Sequence, residues 1–234
     1  MRALLGAVLA GCCLAAPLAA DGLIYRLPED GTSVRYALEL KIGPDGADKT
    51  AGGYLAVSSV GKETVNNEPS RWIEFKMVFD IEGNEKTIIA KLLIPEKALK
   101  KGENAGAAMV RGWLKRRDDA EELKDLQNSK AGPLPAFLAG PAADAKALPK
   151  EVLDTKLGKL ECEGVVGTHK FEQGNEKVEI KQQTRLSDKA PFGVVQCRME
   201  FKVERNGNPA ETGLMTLSVL EVTQGATSEL PDRK

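Results

Sequence analysis

Strict alternation of apolar and polar residues is the feature that most limits what this chain can become. Val34, Tyr36, Leu38, Leu40 and Ile42 fall on one face of an extended segment, with Arg35, Glu39 and Lys41 on the other. Ile73, Phe75, Met77, Phe79 and Ile81 repeat the pattern against Glu74, Lys76 and Asp80, and Ile88, Ala90, Leu92 and Ile94 follow. Late in the chain come Val178 and Ile180, then Val195, Cys197, Met199, Phe201 and Val203. A period of two is the signature of a half-buried strand. Strands with one apolar and one polar face belong to antiparallel sheets covered on one side.

Turn-forming residues sit between these runs: Pro44-Asp45-Gly46, Asn66-Asn67-Glu68-Pro69, Glu82-Gly83-Asn84, Gln173-Gly174-Asn175 and Asn206-Gly207. They tolerate positive φ or bond locally to the backbone, as tight turns require. The pattern predicts strands near 23–27, 33–42, 53–65, 71–82, 86–94, 159–171, 177–186, 192–204 and 213–223. They form a meander interrupted once, at about 95–150. Pro95 stops a strand there, and Pro95 to Lys101 reads as a short helix. Ala105 to Arg117 reads as a second, with Met109, Val110, Trp113 and Leu114 on one side, extended by Asp118 to Leu126. Gly132 to Leu138 is apolar but broken by proline. The expected architecture is mainly β: a strongly curved antiparallel sheet, half-barrel or open barrel, with the helical insert as lid or cover. A β-sandwich is the alternative. Residues 21–234 make a single domain.

The first twenty residues stand apart. Arg2 precedes an almost wholly apolar run over residues 3–16, and Ala16-Pro17-Leu18-Ala19-Ala20 supplies small residues before Asp21. This is the layout of a secretory signal peptide, with cleavage after Ala20. The run is shorter than the roughly 20 residues a membrane span needs. No later stretch reaches that length, so the mature chain is expected to lack a transmembrane segment. Leu9-Ala10-Gly11-Cys12 offers a second reading, a lipoprotein anchored through Cys12. Both readings place the protein outside the cytoplasm, in the periplasm or beyond.

Charge and residue counts remove several functions. The chain has 33 Lys and Arg against 34 Asp and Glu. That balance lacks the basic surface with which nucleic-acid binders displace counterions. Basic residues do gather in the insert (Lys97, Lys100, Lys101, Arg111, Lys115, Arg116, Arg117), but Asp118, Asp119, Glu121 and Glu122 accompany them. Opposite charges at such spacing usually form a solvated, mutually paired face. The acidic group lacks the alternating ligands and central glycine of a calcium loop.

His169 is the one imidazole, and any Ser-His-Asp or Cys-His site would have to use it. No nucleophile-elbow motif accompanies it, and neither remaining cysteine sits in a nucleophile signature. His169 therefore reads as a surface histidine on or near a strand. No catalytic, cofactor-binding or metal-binding residue is assigned, and no cofactor is expected.

Cys162 and Cys197 remain after the signal is removed. Both share strand parity with apolar residues, and an oxidising compartment invites a disulfide between them, worth roughly 3–4 kcal/mol in the chain-entropy model. In a plain meander, however, their strands flank a common neighbour. Their Cα atoms would then lie about twice the strand spacing of roughly 4.8 Å apart, beyond the roughly 4.4–6.8 Å that a bridge spans. A bridge requires strong curling of the sheet; otherwise both thiols are free and buried.

The apolar face itself is the remaining candidate site. Phe75, Met77, Phe79, Trp113, Phe137, Met199 and Phe201 either pack as core or line a hydrophobic cavity under the insert.

The order of signal peptide, antiparallel strands, insert and antiparallel strands resembles the periplasmic lipoprotein-carrier (LolA/LolB-like) half-barrel superfamily. Within it, Gly158-Lys159-Leu160-Glu161-Cys162, Thr184-Arg185-Leu186-Ser187 and Pro191-Phe192-Gly193-Val194-Val195 are similar to a pattern in exported bacterial β-rich proteins. The resemblance implies binding of an acyl chain or hydrophobic partner without catalysis. The expected function is an exported, non-enzymatic binding module for a hydrophobic ligand, a lipid or a lipidated protein. The alternatives are a structural or protein-interaction domain of the cell envelope, and a hydrolase using His169.

Overall fold

The computed structural model describes residues 22–43, 49–81, 83–116, 120–123, 134–173, 176–205 and 210–230. Eleven strands form one sheet: β1 (Ser33–Ile42), β2 (Lys49–Val65), β3 (Glu68–Ile81), β4 (Asn84–Pro95), β5 (Arg111–Lys115), β6 (Ala120–Glu122), β7 (Lys146–Thr155), β8 (Gly158–Gln173), β9 (Glu176–Leu186), β10 (Val194–Arg205) and β11 (Glu211–Thr223). Their order is β6-β5-β4-β3-β2-β1-β11-β10-β9-β8-β7, and every neighbour is antiparallel. The first and last strands meet in the middle, with Leu38 opposite Leu217. The segment between β6 and β7 therefore leads from one free edge of the sheet to the other.

Two-residue periodicity accounts for the inner face. Val34, Tyr36 and Leu38, Leu55 and Val57, Ile73, Phe75 and Met77, Ala90 and Leu92, and Met215 and Leu217 are buried in one continuous core. The β2–β3 hairpin is set by its turn. Asn66 and Asn67 both have positive φ, 50° and 62°, the backbone that a tight two-residue turn demands. At the Pro191-Phe192-Gly193 corner, Gly193 has φ 87°, and a Cβ there would meet Tyr25 Cβ at 2.7 Å.

Irregular segments fill one end of the inner face. The Leu23 amide donates to the Phe137 carbonyl at 2.6 Å, and the Tyr25 amide to the Phe192 carbonyl at 3.0 Å. Leu23, Phe137 and Phe192 are buried. Arg71 ties this end together. It meets Glu96 Oε1 at 2.7 Å, Ser59 Oγ at 2.8 Å and the Pro28 carbonyl at 3.3 Å.

The outer face has its own cover. Ile89, Lys91 and Leu93 of β4 are buried although they alternate with the inner Ala90 and Leu92. The C-terminal stretch lies there: Ser228 Oγ donates to Glu74 Oε2 at 2.7 Å, and Lys91 Nζ to the Leu230 carbonyl at 3.4 Å.

The expected helical lid is corrected. Among the described residues the insert holds one 3-10 turn, Glu96–Ala98, and one helical turn, α1 (Leu134–Phe137). The segment read as a helix from Ala105 to Arg117 instead gives a turn and then β5. Met109, Val110, Trp113 and Leu114 fit helical spacing, but Gly112 and Leu114 fit a strand equally well. The free edge of β4 decides between them, by offering a ladder from Ile89 to Leu93. Gly112 also packs closely there, since a Cβ would meet Leu92 Cδ2 at 2.9 Å. The proposed extension from Asp118 to Leu126 contains β6 where it is described. Residues 23–27 are not a strand, because their amides pair with the insert and the corner. Residues 1–21, and with them the signal peptide, Cys12 and the Ala20 cleavage site, lie outside the described residues.

Candidate functional site

The residues expected on an apolar ligand face separate into three groups. Phe75, Met77 and Met199 lie deep in the core. Phe137 belongs to the filled end, where its ring stacks on Phe75 with centroids 6.3 Å apart. Phe79 and Phe201 are partly buried and pack against the core. Trp113 is corrected. It alternates with the buried Gly112 and Leu114 and pairs with Lys91 and Glu122, so it belongs to the outer face.

Phe79 and Phe201 belong to a larger set at the hairpin end of the sheet, away from the filled end. Leu40, Ile88, Phe171 and Val178 join them, all partly buried against the core. Register brings those on β8 to β10 together. Phe201 stands opposite Ile180 and Gly213, and Phe171 opposite Val178. Gly167 stands opposite Gln182 and Gly213 opposite Phe201, so neither position adds a side chain to this face.

His169 occurs in the same array, opposite Ile180 on the inner face. It is not the surface histidine that the sequence suggested. It is 8 % exposed, and its ring stacks on Phe171 at 6.1 Å. Burial lowers its pKa, and the nearby Asp144 carboxylate opposes that shift. Asp144 itself accepts the Thr168 amide at 2.7 Å, which holds its carboxyl below the usual range. The missed signal was parity: directly opposed residues of an antiparallel pair share a face, and His169 keeps step with Val165 and Phe171.

Deeper along the inner face runs a short polar thread. Gln182 Nε2 donates to Thr184 Oγ1 at 3.1 Å, Thr184 Oγ1 lies 3.7 Å from Cys197 Sγ, and Tyr36 Oη donates to the Val194 carbonyl at 3.2 Å. Burial pushes the Cys197 thiol up to about 12 and raises Tyr36 as well.

Cys162 and Cys197 are both free and buried. Both belong to one continuous hydrophobic core. Cys197 stands opposite Thr184 on the inner face. Cys162 alternates in step with Gly164, which stands opposite Arg185, next to the inward Thr184. The charges acting on the Cys162 thiol are those of Arg185 and Glu151. At Cys162 the β7–β8 ribbon continues past the end of β9. Leu153 to Lys156 of that ribbon border a cleft with Val195, Gln196 and Ser218.

On the outer face, Lys41, Lys181, Arg198 and Lys202 share a concavity of about 610 Å³ with Glu179 and Glu200. Arg198 pairs with Glu200 at 3.1 Å. Among the described residues, no group of three or more His, Cys, Asp or Glu could hold a metal ion, and no helix is long and apolar enough to cross a membrane.

No family model matches the chain, and no curated protein matches it. Solved structures give partial likenesses. One is a predicted exported protein with a YmcC-like fold from Bacteroides fragilis, at TM-score 0.37 and 10% identity over 86% of this chain and 99% of that one. Another is a predicted lipoprotein from Parabacteroides distasonis, at TM-score 0.35 and 8% identity over 87% of this chain and 100% of that one. A third is a DUF1329 family protein from Desulfovibrio piger, at TM-score 0.33 and 10% identity over 87% of this chain and 88% of that one. At such scores they carry no argument, and the fold rests on the strand pairing above.

Proposed function

We propose that the protein is an exported, non-enzymatic binding module: a half-barrel whose inner face receives the apolar part of a lipid or a lipidated protein. The observation that carries this reading is the asymmetry of the inner face. One end is filled by Leu23, Phe137 and Phe192. The other ends in the partly buried Leu40, Phe79, Ile88, Phe171, Val178 and Phe201. A concave apolar surface that stays partly open at one end is where an acyl chain gains most from burial, at roughly 0.8 kcal/mol per CH₂. Export rests on the signal-peptide layout of residues 1–20, with Ala20 as the cleavage site and anchoring through Cys12 as the alternative.

Native mass spectrometry of the purified protein, followed by organic extraction, tests the reading. An acyl-containing ligand released on denaturation is the expected result. A protein that emerges free of lipid and takes up none from vesicles refutes it, and then favours an envelope domain with a filled core. The stacking of Phe75 on Phe137 is the observation that supports that second reading.

A further inference from the structure

The hairpin end of the inner face carries partly buried apolar side chains around His169. Nε2 of His169 is buried there without a hydrogen-bond partner, in a side chain more than nine-tenths withdrawn from water. Leaving such a group unsatisfied is unfavourable, and Val, Ile or Phe would fill the position without that penalty. The groups around it are committed elsewhere. Phe171 stacks on the ring, and Ile180 stands opposite. Asp144 Oδ1 accepts the Thr168 amide. Lys170, which alternates with His169 onto the outer face, pairs with Glu179 at 3.4 Å. Two residues along, Gly167 presents no side chain opposite Gln182.

We propose that Nε2 of His169 holds the acyl carbonyl of a lipid-like ligand, whose hydrocarbon chain lies along the partly buried Val178 and Phe201. This rests on the apolar-ligand reading above and adds the polar contact which that reading lacks. With its pKa lowered by burial, the ring is neutral near pH 7. A neutral N–H suits the oxygen of an ester or an un-ionised acid, whereas a carboxylate would call for a cation. Nε2 is covered, so the ligand enters by displacing Phe171, which is only partly buried.

The full chain is compared with its His169→Leu and His169→Gln variants, each checked by thermal melting. The probes are palmitic acid and phosphatidylglycerol vesicles, which separate a free acid from a lipid ester as the source of the carbonyl. The chain has one histidine, so its imidazole nitrogens give a single set of NMR signals. In the wild type, the probe that binds is expected to move the Nε2 signal. His169→Leu is expected to bind it about tenfold more weakly, and His169→Gln, which keeps an N–H donor, to recover part of the loss. Equal binding by wild type and His169→Leu, with the imidazole signal unmoved, overturns this assignment and leaves the apolar-ligand reading intact. No uptake of either probe by the wild type overturns both. Should the Leu variant fail to fold, the imidazole signal and the Gln variant decide the matter.

Discussion

Phe137, carried on a single helical turn, stacks on Phe75 of β3 with ring centroids 6.3 Å apart and planes at 24°. The same residue accepts the Leu23 amide at its carbonyl, so it joins the insert, the start of the domain and the sheet. Phe137→Ala is expected to destabilise the fold by about 3–5 kcal/mol, the usual range for emptying a buried aromatic site. Urea unfolding monitored by circular dichroism checks this. A loss below about 1 kcal/mol would mean that the filled end collapses around the gap or is held independently of this ring.

Arg71 is the electrostatic counterpart of that plug. It is 5 % exposed and bonds Glu96, Ser59 and the Pro28 carbonyl. Replacing it with Met leaves Glu96, whose side chain is 31 % exposed, and Asp30, 3.8 Å away, without their cation, and a loss of about 1.5–3 kcal/mol is expected for hydrogen bonds to a charged group. Arg71→Met combined with Glu96→Gln is expected to recover part of it, because the unpaired charge is gone. A double variant as unstable as the sum of the two singles would show that the pair is not coupled.

The two thiols are expected to be free and inert in the native protein. Intact mass under non-reducing conditions gives a chain without a bridge, and a thiol reagent labels both cysteines only after denaturation. Cys197 titrates at about 12 in the fold because burial disfavours its thiolate, against roughly 8.5 unfolded. A raised acid favours the folded state fully below the unfolded value and loses that advantage as pH rises toward the folded one. Stability is therefore expected to fall from about pH 8.5 upward, and Cys197→Ala to flatten the fall. The Tyr36 phenol is shifted the same way and keeps some alkaline sensitivity in that variant.

His169 produces the opposite slope. Its pKa is lowered in the fold, so its contribution is complete above the unfolded value of roughly 6.5. It is lost as pH falls through the folded value, where the buried ring must take a proton. Chemical-denaturant midpoints between pH 7 and pH 5 are expected to drop more in the wild type than in His169→Phe. Parallel drops would place the acid sensitivity on carboxylates such as Asp144, whose pKa is also lowered.

The strands were legible because alternation is a local property. Val34 to Ile42 and Ile73 to Ile81 announce both their extension and their buried face. The insert was illegible because its decisive partner is remote. Trp113 and Leu114 satisfy a helical stripe in isolation, and only the open edge of β4 turns them into a strand. His169 is illegible in the sequence because a single polar residue between Thr168 and Lys170 looks like surface until its opposite number, Ile180, is known.

The seam between β1 and β11 joins nearly the two ends of the domain. Strands β2 to β6 on one side and β7 to β10 on the other pair only with near neighbours in sequence, so each half can begin to assemble by itself. The seam has to wait for the last strand, and contacts of such long sequence separation form slowly. A chain made from its N-terminus therefore cannot complete its sheet until almost all of it has been synthesised. Until then β1 keeps one edge unpaired, which makes the interval before β11 arrives the moment when this protein is most open to edge-to-edge association.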